Sequence, residues 1–137
     1  MRKIFLDTNV LVDLIANRKP FSKFAVKLFS EAEKGKISLY ISSHSIATTY
    51  YLLKKYISDG ELREVLSNLL DFVHVVAVDQ DSVKKGLKSK YKDFEDAIQI
   101  FSAGSVENIE CIVTRNGKDY KGSEIPVLTP EEMVMKL

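Results

Sequence analysis

Lys3-Ile4-Phe5-Leu6-Asp7-Thr8-Asn9-Val10-Leu11-Val12-Asp13-Leu14-Ile15 is the stretch on which the fold turns. Lys3–Leu6 is a short strand pattern that runs straight into Asp7. An apolar run this short and uninterrupted suits a buried parallel strand. Val10–Ile15 then resumes as a helix, with Thr8 or Asn9 as its expected cap. Asp7 therefore stands at the carboxyl end of a strand and just before a helix, where open α/β sheets bind ligands. The same position suits a plain capping or loop acid.

Outward from there, strand and helix patterns alternate. After Pro20, Phe21–Gly35 carries Phe21, Phe24, Ala25, Leu28, Phe29 and Ala32 at helical spacing, with Gly35 as the stop. Ile37–Ser42 reads as a second strand, and Ser42-Ser43-His44-Ser45 offers caps for a helix running to about Tyr56. Lys54 and Lys55 with Tyr50, Tyr51 and Tyr56 read either as a basic, aromatic contact for RNA or, more commonly, as a solvated face beside core tyrosines, and His44 as a site residue or, more commonly, a capping or hydrogen-bonded one. Ser58-Asp59-Gly60 is a turn signal before a helix over Glu61–Leu70. Phe72–Val78 is the most strand-like run, with His74 structural inside it, and Asp79 caps a short helix to about Lys88. A basic loop, Lys88-Ser89-Lys90-Tyr91-Lys92, leads into a helix over Lys92–Ala103. Glu110–Thr114 and Pro126–Leu128 are the last strands, separated by the polar loop Arg115–Tyr120. Thr129-Pro130-Glu131-Glu132 is a capping-box start for a closing helix over Glu131–Lys136. Such alternation predicts an α/β fold, a single domain over residues 1–137, with helices on both faces of a parallel sheet.

The composition agrees with one globular core: 137 residues, 45% hydrophobic and 28% charged. A formal net charge of +1 supplies no global field for a polyanion, yet 20 Lys and Arg leave room for a local basic rim. Cys111 is the one cysteine, so no internal disulfide forms, and with two histidines no zinc-site spacing exists. It reads as a buried strand residue of a reducing compartment. The N-terminus reaches Asp7 too soon for a signal peptide, and no apolar run approaches the ~20 residues of a membrane span. A soluble, cytoplasmic protein without membrane contact is expected.

The chemistry centres on Lys92–Ala103. Asp93 and Asp96 are three residues apart and share a face near the helix start, continued by Ala97, Ile100, Phe101 and Gly104. Asp7, Thr114 to Asn116 and Asp119 sit at or just after strand ends, so the fold can bring them to the same sheet edge. Carboxylates gathered in a cleft repel one another unless a cation offsets them. Hard oxygen ligands select Mg²⁺ or Mn²⁺ over Zn²⁺, and such an ion suits phosphoester chemistry. No Ser–His pair, reactive cysteine or glycine-rich phosphate loop competes, since Gly104-Ser105 and Gly122-Ser123 are isolated. The plainer alternative is that Asp93 is an N-cap, Asp96 a first-turn acid, Asp119 a turn residue and Asp7 a cap.

Ile4-Phe5-Leu6-Asp7-Thr8-Asn9-Val10-Leu11, Asp93-Phe94-Glu95-Asp96-Ala97 and Val113-Thr114-Arg115-Asn116-Gly117-Lys118-Asp119-Tyr120, in that order, resemble the motifs of PIN-domain ribonucleases. The resemblance implies a three-layer α/β/α sandwich around a central parallel sheet of about four to five strands. It also implies Mg²⁺- or Mn²⁺-dependent cleavage of RNA by a metal-activated water. Small bacterial relatives are commonly homodimeric toxins held by an antitoxin protein, similar to VapC-type toxins. Carried over, Asp7, Asp96 and Asp119 become metal ligands and Asp93 a second catalytic acid on the helix. Thr8, Asn9, Thr114 and Asn116 become supporting polar groups. Two departures stand out: Thr48 is nearest the place of the family's usual glutamate, and Asn116 stands where many relatives have an aspartate. A less anionic site, with weaker metal affinity, follows. The alternative is a catalytically weak or inactive module that binds RNA or a protein partner.

Overall fold

The computed structural model describes residues 1–137. The alternation of side chains along the first strand, β1 (Arg2–Leu6), sets up the layers. Ile4 and Leu6 enter a large core cluster, whereas Phe5 enters a smaller one with Ile100, Ala103, Ile112 and Tyr120. All three β1 side chains are fully buried, as a strand covered on both faces requires. The chain continues through α1 (Thr8–Ile15), α2 (Ser22–Glu33), β2 (Ile37–Ser42), α3 (Ser43–Leu53), α4 (Asp59–Leu69) and β3 (Val73–Val76). It closes with α5 (Gln80–Lys88), α6 (Phe94–Gly104), β4 (Cys111–Val113), a 3-10 helix (Gly117–Tyr120), β5 (Val127–Leu128) and α7 (Pro130–Met135).

The five strands are all parallel, in the order β3-β2-β1-β4-β5. Residues of α1, α2, α4 and α7 fill the large cluster, and α6 covers the other face, so the α/β/α sandwich is as the sequence implied. Helix α5 packs on α6 at Gly86, where a Cβ would stand 3.3 Å from the Phe94 ring. No helix is long and apolar enough to cross a membrane. Cys111 is buried, as expected, and its thiol is pushed up to about 11, chiefly by burial.

The differences from the sequence expectations have local causes. Asp7 itself caps α1, its Oδ1 accepting from Thr8 N at 2.7 Å, so neither Thr8 nor Asn9 is the cap. Ser58 caps α4, turning the expected turn into a helix start. The third strand stops at Val76 because its partner β2 ends at Ser42, opposite it. His74 lies on this edge strand and stacks on Tyr40 at 4.8 Å. The α3 helix ends at Leu53, its last buried apolar position. Tyr51 and Tyr56 are 67% and 82% exposed, so of the three expected core tyrosines only Tyr50 packs against the core. Arg115–Tyr120 includes a 3-10 helix where a plain loop was expected. The capping box of Thr129 and Glu132 is present in full.

Candidate active site

Parallel strands end together, so β1, β2 and β4 deliver Asp7, Ser42 and Thr114 to one edge of the sheet. Asp7 is 7% exposed and accepts from four donors. Thr8 N (2.7 Å) and Gln99 Nε2 (3.2 Å) donate to Oδ1, and Thr114 Oγ1 (2.7 Å) and Asn9 Nδ2 (3.3 Å) donate to Oδ2. Thr114 Oγ1 accepts in turn from Asn9 Nδ2 and from Asn116 N, both at 3.1 Å. Asn9 Oδ1 takes Arg115 N at 3.3 Å. These bonds tie the β4 loop to the start of α1 around Asp7.

Sequence reasoning does not single out Gln99. It is buried on α6 and bonds Ser42 Oγ (2.6 Å), Ser45 Oγ (2.8 Å) and Asp7. Thr8 Oγ1 joins through Ser45 Oγ at 2.7 Å. Its signal was present: Gln99 lies three residues after Asp96, a polar side chain between the buried Ile98 and Ile100. Gln99, and not the apolar residues Ile100 and Phe101, carries the acidic face of the helix inward.

A pocket of about 250 Å³ opens above this network, lined among others by Asp7, Asn9, Thr48, Asp96, Gln99 and Asn116. Arg18, His44 and Glu95 stand on its walls as well. His44 Nε2 lies 3.4 Å from both Glu95 Oε2 and Thr48 Oγ1, so His44 is a pocket residue and not a helix cap. Asp93 and Asp119 do not line this pocket. They border an adjoining groove, and Asp93 Oδ1 accepts from Asp96 N at 3.0 Å as the cap of α6.

The acids nevertheless feel one another. Burial first, then Asp7, Asp93, Asp119 and Glu95, push Asp96 up to about 7. The Tyr120 hydroxyl is buried near Asp7 without a well-aligned hydrogen bond, and burial followed by the charges of Asp7 and Asp96 raises its ionisation far above the usual phenol range. Because Asp96 titrates higher folded than unfolded, its stabilising contribution is complete below pH 3.8 and is lost as pH rises through about 7. Asp96→Asn should therefore melt higher than the wild type at pH 8 in EDTA. The gain is about 2 kcal/mol once the partial exposure of the group is allowed for. At pH 3.5 the two melting curves should coincide, and identical curves at both pH values would refute a desolvated Asp96.

A PIN-domain family model matches residues 3–118. Ribonuclease VapC1 of Aquifex aeolicus strain VF5 is 29% identical over 135 residues, 95% of this chain and 92% of that protein. A toxin–antitoxin complex from Klebsiella pneumoniae superposes with a TM-score of 0.67 at 27% identity, covering 93% of this chain and 97% of that one. VapBC2 of Rickettsia felis, bound to a promoter DNA fragment, shares the fold with a TM-score of 0.68 at 18% identity, over 93% and 98% of the two chains.

Proposed function

The chain belongs to the PIN-domain family, and from that premise we propose that it is a divalent-cation-dependent endoribonuclease, the toxin of a toxin–antitoxin pair. The observation that carries this reading is the meeting of Asp7 and Asp96 in one pocket at the carboxyl edge of the sheet. Similarity to a ribonuclease along 95% of the chain supports the reaction, and similarity to a toxin–antitoxin complex supports the setting.

The donor set fits Mg²⁺ or Mn²⁺. Asp7 and Asp96 offer carboxylate oxygens, and Asn116 and Thr48 offer neutral ones. No three acidic, histidine or cysteine side chains gather closely enough to hold a metal ion among themselves. Mg²⁺ is commonly bound by one or two carboxylates, with water and substrate phosphate oxygens completing its shell. When bound, such a cation would offset charge on the attacked phosphate and make a coordinated water a better nucleophile.

The chain's own residues divide the remaining work. Asp7 is locked by its four donors. Asp96 accepts no hydrogen bond from the chain, so its oxygens are the free ones. Arg18, at the pocket wall, can meet a phosphate oxygen of the RNA. Asp119 and Asp93 add negative potential from the neighbouring groove. The exposed Tyr51, Leu52 and Tyr56 at the end of α3 offer apolar surface for an antitoxin or a second copy in a homodimer.

A second reading, a catalytically weak module that binds RNA or protein, is favoured by Thr48, which brings no charge to the pocket wall it occupies. Cleavage of a single-stranded RNA separates the two. The enzyme reading expects turnover with Mn²⁺ and loss of turnover with EDTA. No cleavage, together with no calorimetric Mn²⁺ binding at millimolar concentration, favours the weak module. Thr48→Glu restores a carboxylate and should tighten Mn²⁺ binding by about tenfold, roughly 1.4 kcal/mol. An unchanged affinity would mean that Thr48 does not face the ion.

A further inference from the structure

Beside the acidic pocket lies a groove of about 410 Å³ whose charge is opposite in character. Lys90 and Lys92 reach it from the segment before α6, and Lys118 and Lys121 from the 3-10 helix after β4 and the residue that follows it. The segments are far apart in sequence, so their lysines meet only in the folded chain. All four side chains are exposed. Lys27, Lys36 and Lys85 pair with carboxylates elsewhere on the surface, whereas these four have no ion-pair partner. Asp93 and Asp119 line the same groove without pairing to them. Four lysines against two carboxylates leave the groove lining net positive, in a protein whose net charge is only +1.

We propose that this groove is the track along which the phosphate backbone of single-stranded RNA approaches the Asp7–Asp96 pocket, holding phosphates that flank the scissile one. The inference rests on the nuclease reading above for the identity of the polyanion. The groove's place favours RNA over an acidic protein segment, because it borders the start of α6, the helix that carries Asp96. An RNA strand lying on the lysines passes Asp93, the cap of α6, and leads toward Asp96 in the pocket where the reading above places a cation. The aromatic side chain of the groove is already engaged. Tyr91 packs edge-on against Phe101 at 6.1 Å, and its hydroxyl lies 3.5 Å from Gly122 O. Recognition here is thus electrostatic, without a free stacking platform, and makes little distinction among RNA sequences.

The test compares Lys118→Glu and Lys121→Glu with Lys34→Glu, in the full chain. Lys34 is an exposed lysine at the opposite, amino-terminal edge of the sheet, just before β2, and its substitution changes net charge equally. Cleavage of two fluorescent oligoribonucleotides of unrelated sequence is followed with Mn²⁺ across a salt series. Each groove variant should raise KM by about tenfold at low salt, and leave kcat within about twofold. It should also flatten the log–log salt slope by about 0.7 for each phosphate that is no longer neutralised. Lys34→Glu should do none of this. Groove variants that match Lys34→Glu in KM and slope overturn the track while leaving the nuclease standing. If the wild type fails to cleave, fluorescence anisotropy of the same oligonucleotides decides the groove separately: weakened RNA binding in the groove variants alone supports it. Unchanged RNA binding with loss of binding to a polyglutamate probe overturns it and assigns the groove to an acidic protein segment.

Discussion

Asp96→Asn is expected to lower Mn²⁺-dependent RNA cleavage by at least about a hundredfold, because it removes the one pocket carboxylate that accepts no hydrogen bond from the chain, Asp7 being held by four donors and Glu95 by His44. The substitution breaks no protein hydrogen bond, so far-UV circular dichroism should be unchanged. Isothermal calorimetry should show weaker Mn²⁺ binding in parallel with the lost turnover. Wild-type cleavage by Asp96→Asn would remove this pocket as the reactive centre. Asp7→Asn should abolish cleavage too, but less cleanly. Its carboxylate accepts from Thr8, Gln99, Thr114 and Asn9, and an asparagine turns its amide NH2, a donor, toward one pair of those donors. A loss of about 1–3 kcal/mol in stability should accompany the loss of activity. The two variants therefore separate a chemical role from a role that is chemical and architectural.

The largest effect on stability is expected at Asp13, 1% exposed in the large core and bound by the Arg115 guanidinium. Arg115 Nε and Nη2 donate to its two oxygens at 2.6 and 3.0 Å. Arg115 also lies over the Phe21 ring at 4.0 Å, and Arg18 stands 3.9 Å from Asp13. Deleting one partner of a buried, bidentate pair leaves the other charge uncompensated, at a cost of about 3–5 kcal/mol. Arg115 retains partial solvent and the Phe21 face, so Asp13→Ala should fall near about 3 kcal/mol, or about 10 °C in melting temperature for a chain of this size. The same change frees the backbone that holds Thr114 and Asn116, so activity should fall even well below the new melting temperature. A loss under about 1 kcal/mol in urea unfolding would show that the pair is worth no more than an exposed salt bridge.

Much of the architecture was legible because hydrophobic periodicity is local. The bounds of β2 and α5, and the Thr129 capping box, follow from residues within one or two turns of each other. Asp93 shows the limit of that reasoning. Its spacing from Asp96 suited both a paired catalytic acid and a helix cap; spacing gave no sign that its side chain caps α6 from the groove side. Asp13 shows another. It sits in the apolar run Val10–Ile15, and only an arginine 102 positions later explains an acid in that place.

The sequence by itself determined that strands and helices alternate, that β1 is buried on both sides, and that Asp7, Thr114 and Asp119 stand at or after strand ends. Periodicity and capping act over a few residues, so they can be read along the chain. Only the tertiary structure decided which polar groups meet. Gln99 joins Asp7 and Ser45 across separations of 92 and 54 residues, and Thr114 reaches Asp7 across 107. It also decided that Asp7 and Asp96 share a pocket while Asp93 and Asp119 face a lysine-lined groove. A hydrogen bond or an ion pair depends on distances of a few ångströms between side chains, and those are set by how the helices pack on the sheet.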